Sequence, residues 1–356
     1  MSTHKFVTAA TVVIRSKIFI LASVTVVAAL VVGAALSHTS SSPLTKPIPK
    51  SMPKSTDKVA PLVVAPATNP LTGLGLPPPG PVVAVTIDDT AAGRPSLGVE
   101  QADVIYIEQA EGGLSRMVAV FASSKPQVEA VRSVRESNPE LLADYGRIVL
   151  VASGGDSLEL APLDQSPLYS TINDRGGVGF HRDSSRVAPY NLVANLAQIS
   201  TAFKTAAGVR NVGFTWAVSD PRLTLAPAAP YVNTLVGSTP VSFAWNAKTG
   251  LYERTIGGLP LLAASGSPIA KPNVLIQYTQ ITSDDADVDT AGNPAMYTHT
   301  VGTGKVELFR NGKHIQGTWT RANQKSLTTF ADASGKPLWL APGGTFVVLA
   351  RANAPS

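Results

Sequence analysis

Between positions 88 and 135 the chain places Asp88, Asp89, Arg94, Asp103, Glu108, Glu111, Arg116, Arg132 and Arg135, mostly at the ends of apolar runs or in the turns beside them. Four guanidinium groups near several carboxylates have the chemistry to clamp a phosphate or pyrophosphate bidentately, while the acids hold a divalent cation. The same residue types also pair with one another and cap turns, so a structural role stays open beside the ligand role. Asp88, Arg94, Asp103, Glu111, Arg116, Arg132 and Arg135 are the candidate ligand-binding residues. His181, in His181-Arg182-Asp183-Ser184-Ser185, joins them because a base, an acid and hydroxyls lie together there. No catalytic residue is assigned, since triads are assembled in space rather than in sequence.

Other motifs carry less. Gly112-Gly113 and Gly154-Gly155 can bring backbone N–H groups near an anion or simply make tight turns, and neither fits a nucleotide-binding pattern. Asp285-x-Asp287-x-Asp289 starts like a calcium loop, but Thr290 stands where Gly is needed and Met296 where Glu is needed, so a solvated loop is expected and no metal ligand is assigned.

These residues need elements to hold them. Runs at Val82 to Ile87, Val104 to Ile107, Met117 to Ala122 and Ile148 to Ala152 are Val/Ile-rich and bounded by Gly, Pro or Asp, as buried strands are. Ser137 and Glu140 form a capping-box pattern with Pro139 at the helix start and Gly146 at its end. A second helix is expected from about Asn191 to Ala207, with Leu192, Leu196, Ile199 and Phe203 on one stripe. Strands alternating with helices predict an α/β domain over 69–231. Beyond Tyr231 closely spaced β signals predict a mainly β domain over 232–356, with Asn311-Gly312 as a two-residue hairpin turn. Trp245, Trp319 and Trp339 are spaced for core packing, with a carbohydrate platform as the alternative.

Charge is uneven. Residues 1–65 hold seven Lys/Arg and one acid, a net +6 that leaves residues 66–356 at −1 out of a total of +5. A basic nucleic-acid-binding body is therefore not expected. Zero Cys excludes thiol nucleophiles, thiolate metal sites, disulfides and cysteine-linked lipid.

Ile18 to Leu36 carries no charge over 19 residues. At ~1.5 Å per residue this gives roughly 28 Å of helix, enough for one membrane span. Lys5, Arg15 and Lys17 precede it, which sets residues 1–17 as a cytoplasmic tail, 18–36 as a transmembrane anchor or signal, and the body outside. A cleaved signal would make the body secreted instead. Residues 37–68, rich in Pro, Ser and Lys, read as a disordered linker.

Several stretches together carry a resemblance. They include Asn69-Pro-Leu-Thr-Gly73, Pro81-Val-Val-Ala-Val-Thr-Ile-Asp88, Gln101-Ala-Asp-Val-Ile-Tyr106, Glu111-Gly-Gly-Leu-Ser-Arg116, Val131-Arg-Ser-Val-Arg135 and Arg186-x-Ala-Pro-x-Asn191. Tyr252-x-Arg254, Pro272-Asn273-Val274, Gly317-x-Trp319 and Leu340-x-Pro-Gly-Gly-Thr345 continue it. Over 69 to 350 the chain resembles the YerB-like family of bacterial envelope lipoproteins, a family with no established activity. Many members carry a lipid-attachment Cys, absent here, and commonly a His before the Gly-Gly pair, where this chain has Ser153. The resemblance implies an envelope protein; a cell-wall polymer or polyprenyl-phosphate is the partner expected for the Arg/Asp cluster. The order of Asp88, Arg94, Asp103, Arg132 and Arg135 is also similar to that in LytR-CpsA-Psr cell-wall polymer ligases. That similarity implies an alternative, a phosphotransferase or hydrolase using a divalent cation such as Mg.

Overall fold

The computed structural model describes residues 67–352 apart from Thr290. The expected anchor at 18–36 and most of the 37–68 linker lie outside the described residues. Among the described residues, no helix is long and apolar enough to cross a membrane.

A ten-stranded sheet organises the body. Its order is Thr329–Ala331, Lys313–Arg321, Gly302–Arg310, Asn273–Thr279, Thr345–Arg351, Val104–Gln109, Ser115–Phe121, Val83–Asp88, Val149–Ala152 and Tyr169–Ile172. Strands from both sides of residue 231 thus share one sheet. The junction is parallel, with Val104 opposite Thr345 and Ile107 opposite Val348. Central strands such as Val83–Asp88 and Val104–Gln109 are buried along their whole length. Both faces are covered, which is why these strands read as continuous rather than alternating apolar runs.

One face packs against a five-stranded sheet built from Tyr231–Val236, Thr239–Asn246, Leu251–Ile256, Leu259–Pro260 and Ala270–Lys271. Phe243 of the smaller sheet meets Phe346 of the larger at 4.8 Å between ring centroids. On the other face Leu71, Tyr106, Leu142, Tyr145, Phe214 and Trp319 form a second core cluster.

The α/β layering expected over 69–231 gives way to a mostly β arrangement with few helices. The α-helices in that stretch are short, Asn138–Leu142, Ser157–Gln165 and Leu196–Ala202. A β-sheet, rather than a helical layer, covers much of one face. The expected helix over 191–207 is divided: Leu192–Asn195 is a strand paired with Gln127–Glu129, and only Leu196–Ala202 is helical, capped by the Asn195 side chain. Strand pairing overrides the helical stripe, because Leu192 and Ala194 reach the core as strand residues. Ser137 makes no side-chain cap. Glu140 instead accepts from the backbone N–H groups of Thr300 and Val301, at 2.7 and 3.2 Å. A complete capping box forms at Asp156 and Glu159.

The Asn311-Gly312 turn joins Gly302–Arg310 to Lys313–Arg321 with φ of 54° and 67°, the left-handed values a two-residue hairpin requires. Trp319 is 2% exposed, and its indole N–H donates to the Tyr278 carbonyl at 2.8 Å.

Candidate functional site

The parallel strands Val83–Asp88, Val149–Ala152 and Tyr169–Ile172 end at the same edge of the sheet, the edge where open sheets usually bind ligands. Arg116, the second residue of the antiparallel neighbour Ser115–Phe121, lies directly opposite both Asp88 and Glu108. The segment 130–135 is threaded over this edge by backbone hydrogen bonds. Arg132 N–H donates to the Thr86 carbonyl at 2.9 Å, Ser153 N–H to the Arg132 carbonyl at 2.8 Å, and Val134 N–H to the Gly154 carbonyl at 3.0 Å. Arg116, Arg132 and Arg135 are therefore delivered to one place.

That place is an open cleft of about 560 Å³. Arg116, Arg132, Ser133, Arg135 and Glu111 line one wall. Asp156, Glu159, Asp174, Asp287 and Asp289 also line the cleft, together with Leu114, Gly155, Val288 and Ala295. Gly154 lies next to the cleft: a Cβ there would be 2.2 Å from Asp174 Oδ2, so a larger residue would displace the Asp174 carboxylate from its present position.

The three arginines differ in how far they are already neutralised. Arg135 is enclosed by Glu111, at 2.5 Å, and by Glu159, and is a structural pair member on both sides. Arg132 has its Nε 3.2 Å from Asp88 Oδ2, and its guanidinium lies 5.5 Å from the Tyr190 ring centroid. Asp88 is itself fixed by Thr90, whose N–H and hydroxyl donate to Oδ1 at 2.7 and 2.6 Å.

Arg116 is different. It is 5% exposed, donates to the Ser133 carbonyl at 3.2 Å, and among the described residues forms no carboxylate ion pair within 4.0 Å. Its Nε has no hydrogen-bond partner. Burial, reinforced by the charges of Arg135 and Arg132, pushes its pKa down to about 9, and it remains cationic at neutral pH. Arg116 thus brings a buried guanidinium with an unused donor to the open cleft, and the nearby charges of Glu111 and Asp88 act on it without forming an ion pair.

The acidic wall has an unusual member. Residues 285–287 bulge out of the Ile281–Val288 ladder, since Asp284 faces Ala295 and Val288 already faces Pro294. The bulge turns Asp287 inward, to 5% exposure, in contrast to the solvated loop expected there. Burial and the charges of Asp156, Glu159 and Glu136 push the Asp287 carboxyl up to about 7. Asp289 is satisfied internally by Ala291 N–H and the Asn293 amide.

The remaining sequence candidates lie elsewhere. Arg94 points to Asp89, donating to its carbonyl at 2.5 Å. Asp103 is at the opposite end of the sheet, where its Oδ2 accepts from Ala122 and Ser123 N–H at 2.6 and 2.9 Å. Because Asp88 faces Arg116 while Val104 faces Val120, Asp103 is about five residues from the cleft edge, roughly 17 Å along a strand. His181 is exposed on Phe180–Arg182, opposite Val193, and does not line the cleft. Among the described residues no group of three or more His, Asp or Glu side chains is arranged to hold a metal ion.

Sequence reasoning missed Asp156, Glu159, Asp174 and Asp287 as cleft residues. Asp156-Ser-Leu-Glu159 carried a readable signal, an N-cap acid with Glu three positions on, directly after Gly154-Gly155.

Comparison with known proteins agrees with this architecture. "Putative lipoprotein YerB" of Bacillus subtilis (strain 168) is 23% identical over 272 residues, covering 74% of this chain and 80% of the relative. The crystal structure of the YerB protein from Bacillus subtilis superposes with a TM-score of 0.66 at 22% identity, covering 81% of this chain and 97% of that one, and shows the same fold. The models for "Protein of unknown function (DUF3048)" match in order, the N-terminal domain at residues 71–210 and the C-terminal domain at 231–347. The cleft-forming segments Glu111 to Arg116 and Val131 to Arg135 lie within the N-terminal match, and with the two models together spanning most of its length, the chain belongs to the DUF3048 family.

Proposed function

We propose that this chain is an extracytoplasmic envelope protein that binds a phosphate-bearing anion through Arg116 and Arg132. The observation that carries the proposal is Arg116, a buried guanidinium on an open cleft that forms no carboxylate ion pair among the described residues. Arg132 adds a second, more accessible guanidinium whose orientation Asp88 sets. Glu111 and Glu159 keep Arg135 in place beneath them. The apolar stretch 18–36 and the lipoprotein description of the YerB relative support placement at the outer face of a membrane, where phosphate esters of cell-wall polymer or polyprenyl carriers are available. Binding is the reading carried forward, since no particular feature of the cleft favours phosphotransfer over it.

Calorimetric titration of the full chain with pyrophosphate tests this. Arg116→Ala and Arg132→Ala should each weaken binding by about 1.5 to 3 kcal/mol, the scale of one charge-assisted group. Arg132 is partly exposed, so its variant should keep the parental melting temperature. Unchanged affinity in both variants would overturn the assignment.

A further inference from the structure

The cleft is bipolar. Beside the guanidinium groups, the carboxylates of Asp287 and Asp156 line the same cleft. Two neighbouring carboxylates repel each other, and a cation placed between them relieves that repulsion. Asp287 is 5% exposed, its Oδ2 has no donor partner, and the bulge at 285–287 aims it into the cleft. On the far side of Asp156, Glu159 Oε2 accepts the Asp156 N–H at 3.1 Å and Glu159 pairs with Arg135. The wall is therefore continuous from the arginines to the acid pair.

Resting on the anion reading above, we infer that the ligand is zwitterionic: a phosphate ester whose anionic end lies on Arg116 and Arg132 and whose primary ammonium lies between Asp156 and Asp287. A primary ammonium offers three N–H donors in one compact charge, which matches the acceptor-only oxygens of two carboxylates. A quaternary ammonium has no such donors. A divalent cation would call for more converging side chains than these two. The groups facing Asp287 are Asp156 and Glu159 from the Ser157–Gln165 helix and its cap, and Glu136 from the turn before Asn138–Leu142. All three are acids, and each favours a cation beside Asp287.

The test compares O-phosphoethanolamine with ethyl phosphate, which lacks the ammonium, by titration of the full chain. The wild-type chain should prefer O-phosphoethanolamine by roughly tenfold or more, the scale of one charge-assisted hydrogen bond. The preference should grow as pH rises through about 7, because the competing proton leaves Asp287. Asp287→Asn should remove the preference and leave ethyl phosphate affinity intact. Asp156→Asn, which retains a helix-capping oxygen, should act in the same direction. Equal affinity for the two probes overturns the inference but leaves the anion reading standing if Arg116→Ala still loses ethyl phosphate. A preference that survives both Asn variants, or that requires added calcium, also overturns it. Displacement of O-phosphoethanolamine by phosphatidylethanolamine vesicles assigns the ester to a lipid headgroup, and failure to displace it assigns a soluble or polymer-borne ester with the same ammonium recognition.

Discussion

Arg254 of the smaller sheet and Asp89 at the end of Val83–Asp88 form a bidentate pair, at 2.7 and 2.6 Å, with side chains 2% and 0% exposed. Ser115 adds a hydroxyl to Asp89 Oδ2 at 2.6 Å, and Arg94 Nη2 lies 3.5 Å from Oδ1. Truncation in Arg254→Ala leaves a carboxylate in the protein interior with one hydroxyl and one looser cation. Breaking such a buried pair costs about 3 to 5 kcal/mol, or about 6 to 15 °C in Tm for a body of this size. The pH dependence follows from Asp89. Burial raises its pKa, but the charge and hydrogen bonds of Arg254 outweigh burial, and the net shift is downward from 3.8. In the parent, this stabilisation is present above the unfolded value and is lost as pH falls through the folded one. In Arg254→Ala the burial effect remains with its main opponent gone, so acidification relieves the variant. The gap between parent and variant in urea denaturation should narrow as pH falls. Asp89→Asn combined with Arg254→Met should recover most of the loss, because both charges then leave the interior. A single variant costing under about 1 kcal/mol, or a double variant as unstable as the single one, would refute the reasoning.

Trp319→Ala should lose about 3 to 5 kcal/mol in denaturant unfolding while binding at the cleft stays parental, since Trp319 is a core residue. Loss of binding with an unchanged denaturation midpoint would contradict that placement. Gly213→Ala should destabilise by at least about 1 to 3 kcal/mol, because φ is +103° and a Cβ would lie 1.6 Å from the Thr328 carbonyl oxygen. Gly257→Ala, at φ +58° with nothing within 4 Å, should cost only about 1 to 2 kcal/mol, and equal costs in a side-by-side melt would contradict the steric account.

What the sequence made legible was local. The Asn311-Gly312 hairpin followed from two adjacent residues that tolerate φ > 0, and the core strands from their Val/Ile runs. The parallel junction of Val104–Gln109 with Thr345–Arg351 joins residues some 240 positions apart and leaves no local pattern to read. The stripe at Leu192, Leu196 and Ile199 fits a helical period, yet the pairing of Leu192–Asn195 with Gln127–Glu129 decides its first turn. At the site, Arg116 and Arg132 stood out as cations beside buried strands. Asp103 looked equivalent to Asp88 because both adjoin apolar runs, and only strand direction separates them to opposite ends of the sheet. Asp287 was hidden for a different reason: its burial depends on a bulge, which changes the facing of a single residue without changing the composition around it.

The central claim is that an anion occupies the cleft beside Arg116. A crystal structure of the full chain with bound pyrophosphate tests it most directly. Phosphate oxygens should lie at hydrogen-bonding distance from the Arg116 and Arg132 guanidinium groups, with Arg135 still held between Glu111 and Glu159. Pyrophosphate bound elsewhere, or a cleft in which Arg116 turns to a carboxylate and no anion is present under saturating conditions, would contradict it.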